Sequence, residues 1–170
     1  MKRLSILFFI FLTPLMLQAQ TPITDFVGLQ AAIENYSTST TDMTITVGAD
    51  IAITAVLNIQ SNTGSYTLTI KSDGPIRTLM RRVAQINVEH GLYIINSGGK
   101  VVLENIIIDG NRNIVTTNMA PLVRVNSGSS LTLNSGAVLR NNYATVSGGC
   151  VNIYGGTFIM NGGEISNGNL

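Results

Sequence analysis

Few side chains in this sequence have reactive chemistry to offer. Nine acids serve the whole chain, and from Gly91 onward they thin to Glu104, Asp109 and Glu164. A pair of carboxylates flanking a glycosidic bond would cleave it, one protonating the leaving oxygen and the other activating water. Asp109, in the phrase IIIDGNR, is the most site-like of the three. With Asn111 and Arg112 it has the groups to hold calcium or a sugar, although Asp-Gly-Asn is also ordinary turn chemistry. Convergence of Glu104, Asp109 and either Arg112 or Arg140 in one cleft would point to an enzyme.

The remaining candidates are weaker. His90, the single histidine, precedes a glycine and a strand-like run and reads as a corner residue rather than a base. A metal centre needs several ligands at matched spacing; the sequence offers none, so no metal or cofactor is expected. Lys71, Arg77, Arg81 and Arg82 form one basic cluster, read either as a solvated loop or as a weak patch for anionic glycans. Cys150 has no second cysteine to pair with and reads as a buried, inert thiol.

What must position these groups is a chain of unusual composition. Only 11% of the residues are charged against a usual quarter, yet 45% are hydrophobic, which rules out a disordered polar tract. A net charge of +1 gives no electrostatic case for nucleic acid. Residues 1–19 read as a secretory signal: Lys2 and Arg3 lead an apolar run from Leu4 to Leu17, too short for a permanent span, with Ala19 at the cut. The expected product is exported, secreted or at the cell surface, with no transmembrane helix after cleavage.

The second half repeats itself. Tyr93-Ile94-Ile95-Asn96-Ser97-Gly98 recurs as Val123-Arg124-Val125-Asn126-Ser127-Gly128, an offset of 30, and Leu131-Thr132-Leu133-Asn134 recurs as Phe158-Ile159-Met160-Asn161, an offset of 27. At that second offset Gly136 falls on Gly163 and Val138 on Ile165; the first offset takes Glu104 to Asn134 and the second takes Asn134 to Asn161, so no acidic column is expected. Looser copies lie at Leu57-Asn58-Ile59 and Leu68-Thr69-Ile70. A period of this size marks a solenoid, because one unit cannot bury its own apolar face.

Each unit holds three apolar-x-apolar triplets, such as Val123-x-Val125, Leu131-x-Leu133 and Ala137-Val138-Leu139, and no helical stagger. Alternation sends the outer pair inward and the middle residue outward. Three such strands joined at Asn, Gly and Ser corners wind once around a narrow apolar interior, and the next unit lies on it in parallel. The expected fold is therefore all-β: a right-handed parallel β-helix of about five coils over residues 43–170. Residues 20–42 hold a short N-terminal capping helix, with Asp25 as its N-cap and Phe26, Leu29, Ala32, Ile33 and Tyr36 on one face. Asn96 with Asn126, and Asn134 with Asn161, should form corner ladders of stacked amides. Gly98, Gly128 and Gly156 are expected at positive φ.

Two further expectations follow. The outward middle positions of the third unit are apolar, Ile94, Val102 and Ile107, so the loop Asn111–Pro121 should cover part of them through Ile114, Val115 or Met119. No lid is visible after Ile165, and the last unit is a faithful copy, so the open edge is expected to pair with further coils, as part of a longer ladder, or with another chain.

At YTLTIKSDGPIRTLMR, VLENIIIDGN and GGTFIMNGGEIS the chain resembles right-handed parallel β-helices of the pectin-lyase-like superfamily. It is most similar to repeat-bearing, adhesin-like surface proteins of Gram-negative bacteria. That resemblance implies an exported, non-catalytic β-helix for adhesion or glycan contact, with carbohydrate or a host or cell surface as partner. The alternative it implies is the N-terminal part of a polysaccharide lyase or glycoside hydrolase. Lyases of the superfamily hold calcium with acids and use Arg or Lys as base, and the hydrolases carry Asn-x-Asp, Asp-Asp, Gly-His-Gly and Arg-x-Lys signatures. These signatures are missing here.

Overall fold

The computed structural model describes residues 21–84, 91–145 and 148–168. The leader read at residues 1–19 and His90 lie outside them. Among these residues one helix, α1 (Phe26–Tyr36), is followed by fourteen strands: β1 (Met43–Val47), β2 (Ile51–Ile53), β3 (Leu57–Ile59), β4 (Thr67–Ser72), β5 (Arg77–Arg81), β6 (Tyr93–Ile95), β7 (Lys100–Glu104), β8 (Ile106–Asp109), β9 (Val123–Asn126), β10 (Ser130–Leu133), β11 (Val138–Arg140), β12 (Val151–Tyr154), β13 (Thr157–Met160) and β14 (Glu164–Ser166). Every third strand joins the same sheet. One sheet runs β1-β4-β7-β10-β13, a second β2-β5-β8-β11-β14 and a third β3-β6-β9-β12. Consecutive strands in each sheet pair in parallel, as in Ile95 opposite Val125 and Leu131 opposite both Val101 and Phe158. The chain is a parallel β-solenoid.

It closes about four coils, not the five expected. Among the described residues four rounds have all three strands, while the fifth has β13 and β14. The steps between rungs are uneven in the early coils: Ile45 to Ile70 spans 25 residues, Ile70 to Leu103 spans 33 and Ile59 to Ile95 spans 36. The four steps from Met43 to Phe158 together span 115 residues, in keeping with the repeat read from sequence, so the difference from five is the third strand missing from the last round among the described residues.

Alternation decides burial. Val123, Val125, Leu131, Leu133, Ala137 and Leu139 are at most 1% exposed, while Arg124, Thr132 and Val138 between them are only partly buried. Each buried aliphatic stabilises by roughly 1.5–3 kcal/mol against ~1–2 kcal/mol of backbone entropy per ordered residue, so one coil alone would not hold and a stack does.

The last coil shortens at each corner. Val123 pairs with Val151, Leu131 with Phe158 and Val138 with Glu164, offsets of 28, 27 and 26. Ile165 therefore stands opposite Leu139 rather than Val138, one position from the expected register. For the same reason the positive φ falls on Gly155 (75°) rather than Gly156, while Gly98 and Gly128 take it as expected.

The helix closes the first coil. Asp25 accepts a hydrogen bond from the Gly28 amide at 2.8 Å, and Leu29, Ala32, Ile33 and Tyr36 are buried against β1, β2 and β3. The Tyr36 hydroxyl donates to the Tyr66 carbonyl at 2.7 Å and accepts from the Lys100 amide at 3.0 Å, anchoring α1 to the starts of β4 and β7. Of the outward apolar residues, Ile94 is buried and Val102 and Ile107 are partly buried; in the loop after β8, Val115 is 7% exposed and Ile114 is 68% exposed. None of the three makes an open patch. No helix among the described residues is long and apolar enough to cross a membrane.

Candidate functional site

The polar candidates gather where the second sheet ends. Asp109 closes β8, and its Cα partner on the next rung is Arg140, the last residue of β11. The register thus delivers a carboxylate and a guanidinium to the same side of adjacent rungs. Arg140 Nε donates to Asp109 Oδ2 at 2.8 Å, and Asn141 Nδ2 donates to the same oxygen at 3.0 Å. The other oxygen, Oδ1, accepts from the Asn111 backbone amide at 2.8 Å. Asp109 is only 6% exposed, so these three donors supply what water would otherwise give.

The turn after Asp109 is shaped by close approach. A Cβ on Gly110 would lie 2.5 Å from the Asn142 Cα of the next rung, so only glycine fits there. Asn111 and Asn141 then take left-handed backbone, φ 51° and 53°, which asparagine tolerates better than most residues. Asn111 Nδ2 reaches back to the Arg81 carbonyl at 3.1 Å. Met80, Asp109, Asn111, Arg112, Asn113 and Asn141 line a shallow cleft of about 170 Å³. That is smaller than the ~300–1,000 Å³ of a drug-sized ligand pocket. Arg112 sits at its rim, with Nη1 donating to the Asn167 carbonyl at 3.4 Å.

Glu104 is not part of this cleft. It ends β7, in the first sheet, with Lys71 as its neighbour across the rungs. The acids nearest in sequence thus stand on different sheets, and Asp109 is the one carboxylate among the cleft residues. No group of three or more His, Cys, Asp or Glu able to hold a metal occurs among the described residues. Asn141 was not singled out from sequence, although the Arg-Asn step one repeat after Asp109-Gly110 was the available signal.

The basic cluster divides. Arg77 pairs with Asp73 at 3.6 Å and Arg82 is exposed. Arg81 is withdrawn from solvent altogether, at 0% exposure, so it offers nothing to a surface ligand. Its Nη2 donates to the Pro121 carbonyl at 2.6 Å and its Nη1 to Ala120 at 3.5 Å, while its Nε and the Tyr93 hydroxyl are both buried without a hydrogen-bond partner among the described residues. Burial pulls the guanidinium from 12.5 down to about 10 and pushes the Tyr93 phenol above its ordinary range. Burial likewise pushes the thiol of Cys150, 3% exposed, up to about 11.

The asparagine corners make direct contacts. Asn126 Nδ2 donates to Asn96 Oδ1 at 3.4 Å, and Asn161 Nδ2 to Asn134 Oδ1 at 3.2 Å. A larger amide network lies outside the repeated phrases. Asn142, fully buried, donates to the Ala120 carbonyl at 3.0 Å and to Gly149; Asn118 donates to Ala120 at 2.6 Å and to Tyr143 at 2.7 Å. On the third sheet, Arg124 lies 4.5 Å from the centre of the Tyr154 ring.

Compared with known proteins, the chain matches no protein family, no curated protein and no solved structure. What the structure itself shows is a parallel β-solenoid.

Proposed function

We propose that this chain is an exported, non-catalytic β-solenoid that contacts carbohydrate through the cleft at Asp109, Asn111, Arg112, Asn113 and Asn141. The observation that supports this is the way the cleft's charge is spent. Asp109 is engaged by three donors, one of them Arg140, so both of its oxygens are already hydrogen-bonded and held in place. Around it the amides of Asn113 and Asn141 and the guanidinium of Arg112 present donors and acceptors on a fixed scaffold. Sugar hydroxyls, which both donate and accept, match such a lining, and surface contact suits its shallowness.

A hydrolase reading needs a second acid beside Asp109, and Glu104 stands on another sheet. A lyase reading needs a free Arg or Lys as base, and the arginine that meets Asp109, Arg140, is held in an ion pair with it. Titration of a panel of neutral and acidic oligosaccharides, followed by amide chemical shifts, tests the proposal. The expected result is shifts centred on residues 109–113 and 141, reduced at least tenfold in affinity by Asn113→Ala with Arg112→Ala. Shifts elsewhere, or none with any sugar, would overturn it; bond cleavage would restore the enzyme reading.

A further inference from the structure

Arg81 is a fully buried charge with no counter-charge among the described residues. Alternation along β5 turns its side chain inward after Leu79, and its rung partner is the buried Ile53. Burying a guanidinium is costly unless an opposite charge meets it. Asp109, on the next rung opposite Met80, is taken by Arg140 at 2.8 Å, and Asp73 pairs with Arg77 at 3.6 Å. The groups around Arg81 are neutral: the Ala120 and Pro121 carbonyls, the Tyr93 hydroxyl and the Cys150 thiol.

Two hydrogen-bond donors stand idle in the same place. Arg81 Nε and the Tyr93 hydroxyl have no partner among the described residues, in side chains 0% and 2% exposed. The Arg81 charge acts on the Tyr93 phenol and on the Cys150 thiol, so the three groups share one corner, where β5 of the second sheet gives way to β6 of the third. A water molecule there would satisfy the donors but leave the charge uncompensated. An anion answers both.

We propose that this corner binds one small monovalent anion, a halide, which accepts from Arg81 Nε and from the Tyr93 hydroxyl. Access sets the size. Met80 and Arg82, the chain neighbours of Arg81, line a surface cleft that does not include Arg81, so the corner is closed to a ligand as large as a sugar or a phosphate ester. A monatomic ion needs only a brief local opening of the loop that carries Ala120 and Pro121. Without halide the charge stands alone. With halide it is neutralised, and an ion that binds only the folded chain stabilises it by mass action.

Thermal melts of the purified chain in sodium chloride, set against sodium gluconate of equal ionic strength, test this, because gluconate is too large for the corner. Chloride is expected to raise the midpoint with the logarithm of its concentration, by ~3–6 °C at ten times its Kd. Arg81→Met, which keeps the volume without the charge, is expected to abolish the difference between the salts. Tyr93→Phe, which keeps the ring without the hydroxyl, is expected to weaken chloride roughly fivefold, the loss of one hydrogen bond. In the wild type the amide resonances of Tyr93, Leu122 and Cys150 should move with chloride and not with gluconate. Equal midpoints in the two salts, the same difference retained in Arg81→Met, or shifts confined to the neighbourhood of the exposed Arg82 would each overturn the proposal.

Discussion

Arg81 donates to the Pro121 carbonyl at 2.6 Å from a side chain with no exposure to solvent, tying the end of β5 to the loop that leads into β9. Neither carbonyl it touches depends on it. Pro121 also accepts from the Leu92 amide at 3.2 Å, and Ala120 accepts from Asn118 and Asn142. No carboxylate pairs with the guanidinium among the described residues, so its charge is desolvated without an opposite charge to offset it. Arg81→Met, which keeps most of the volume, is therefore expected to leave stability within about 1 kcal/mol of wild type or to raise it. Arg81→Ala, which leaves a cavity, should cost ~2–5 kcal/mol. Urea denaturation of both variants checks the pair; a large loss in the methionine variant would show that the charge itself is needed.

The buried amides should rank by what they leave behind. Asn142 is fully buried and donates to the Gly149 carbonyl, while Ala120 keeps its bond from Asn118, so Asn142→Ala should cost ~2–3 kcal/mol, combining one unsatisfied group with lost packing. Asn126 both donates to Asn96 and accepts from Arg124 Nε at 2.9 Å, and its loss should cost ~1 kcal/mol. Asn161, at the exposed last rung, should cost less still. Equal effects in thermal melts at all three sites would contradict this order.

What the sequence made legible was whatever the repeat itself encoded. The columns through Val125, Leu133 and Leu139, the cap at Asp25 and the buried face of α1 could be read from alternation and spacing. The one-residue slip at Ile165 could not, because removing a residue at a corner leaves the triplet phrase intact. Arg81 shows a different limit. Counting by twos from Leu79 points it inward, but its charge read as surface, and the loop carbonyls that receive it lie forty residues away. Asn118 and Asn142 belong to no repeated phrase, so their network needed coordinates. In the cleft, Asp109, Asn111 and Arg112 were readable from one phrase, whereas Asn141 joins them only through the rung register.

Alkaline pH should weaken the fold. Burial raises Cys150 to about 11, against 9.0 for an unburied thiol. The contribution is whole below pH 9 and is lost as pH rises from 9 toward 11, because the unfolded chain gives up this proton first, with a slope of at most ~1.4 kcal/mol per pH unit. Tyr93, also raised, adds the same sign above 10, while Arg81, lowered to about 10, acts in the opposite sense there. Between pH 8 and 10 stability should fall in the wild type and stay nearly flat in Cys150→Ala. Parallel curves would remove the thiol as the cause.

Asp109 and Arg140 should be unequal partners. Asp109 is 6% exposed and accepts from three donors, one a backbone amide, whereas the Arg140 side chain is 39% exposed. Asp109→Ala is expected to cost ~2–3 kcal/mol, since it strands buried donors. Arg140→Ala should cost ~1 kcal/mol or less, since water can replace a half-exposed cation. Denaturation midpoints of the two variants decide it, and a greater loss on the arginine side would mean the cleft is held together differently.

The account rests on one turn of chain per repeated phrase, stacked in register, and a single cross-link reads this directly. Val102 and Thr132 are outward-facing Cα partners on β7 and β10. Parallel neighbours ~4.8 Å apart fall within disulfide range. With Cys150 replaced by alanine, Val102→Cys/Thr132→Cys is predicted to close an intramolecular disulfide on mild oxidation. Val102→Cys/Ser130→Cys, two positions out of register on the same face, is predicted to stay reduced. Closure of the second pair in place of the first, or of neither, would contradict the stacked solenoid.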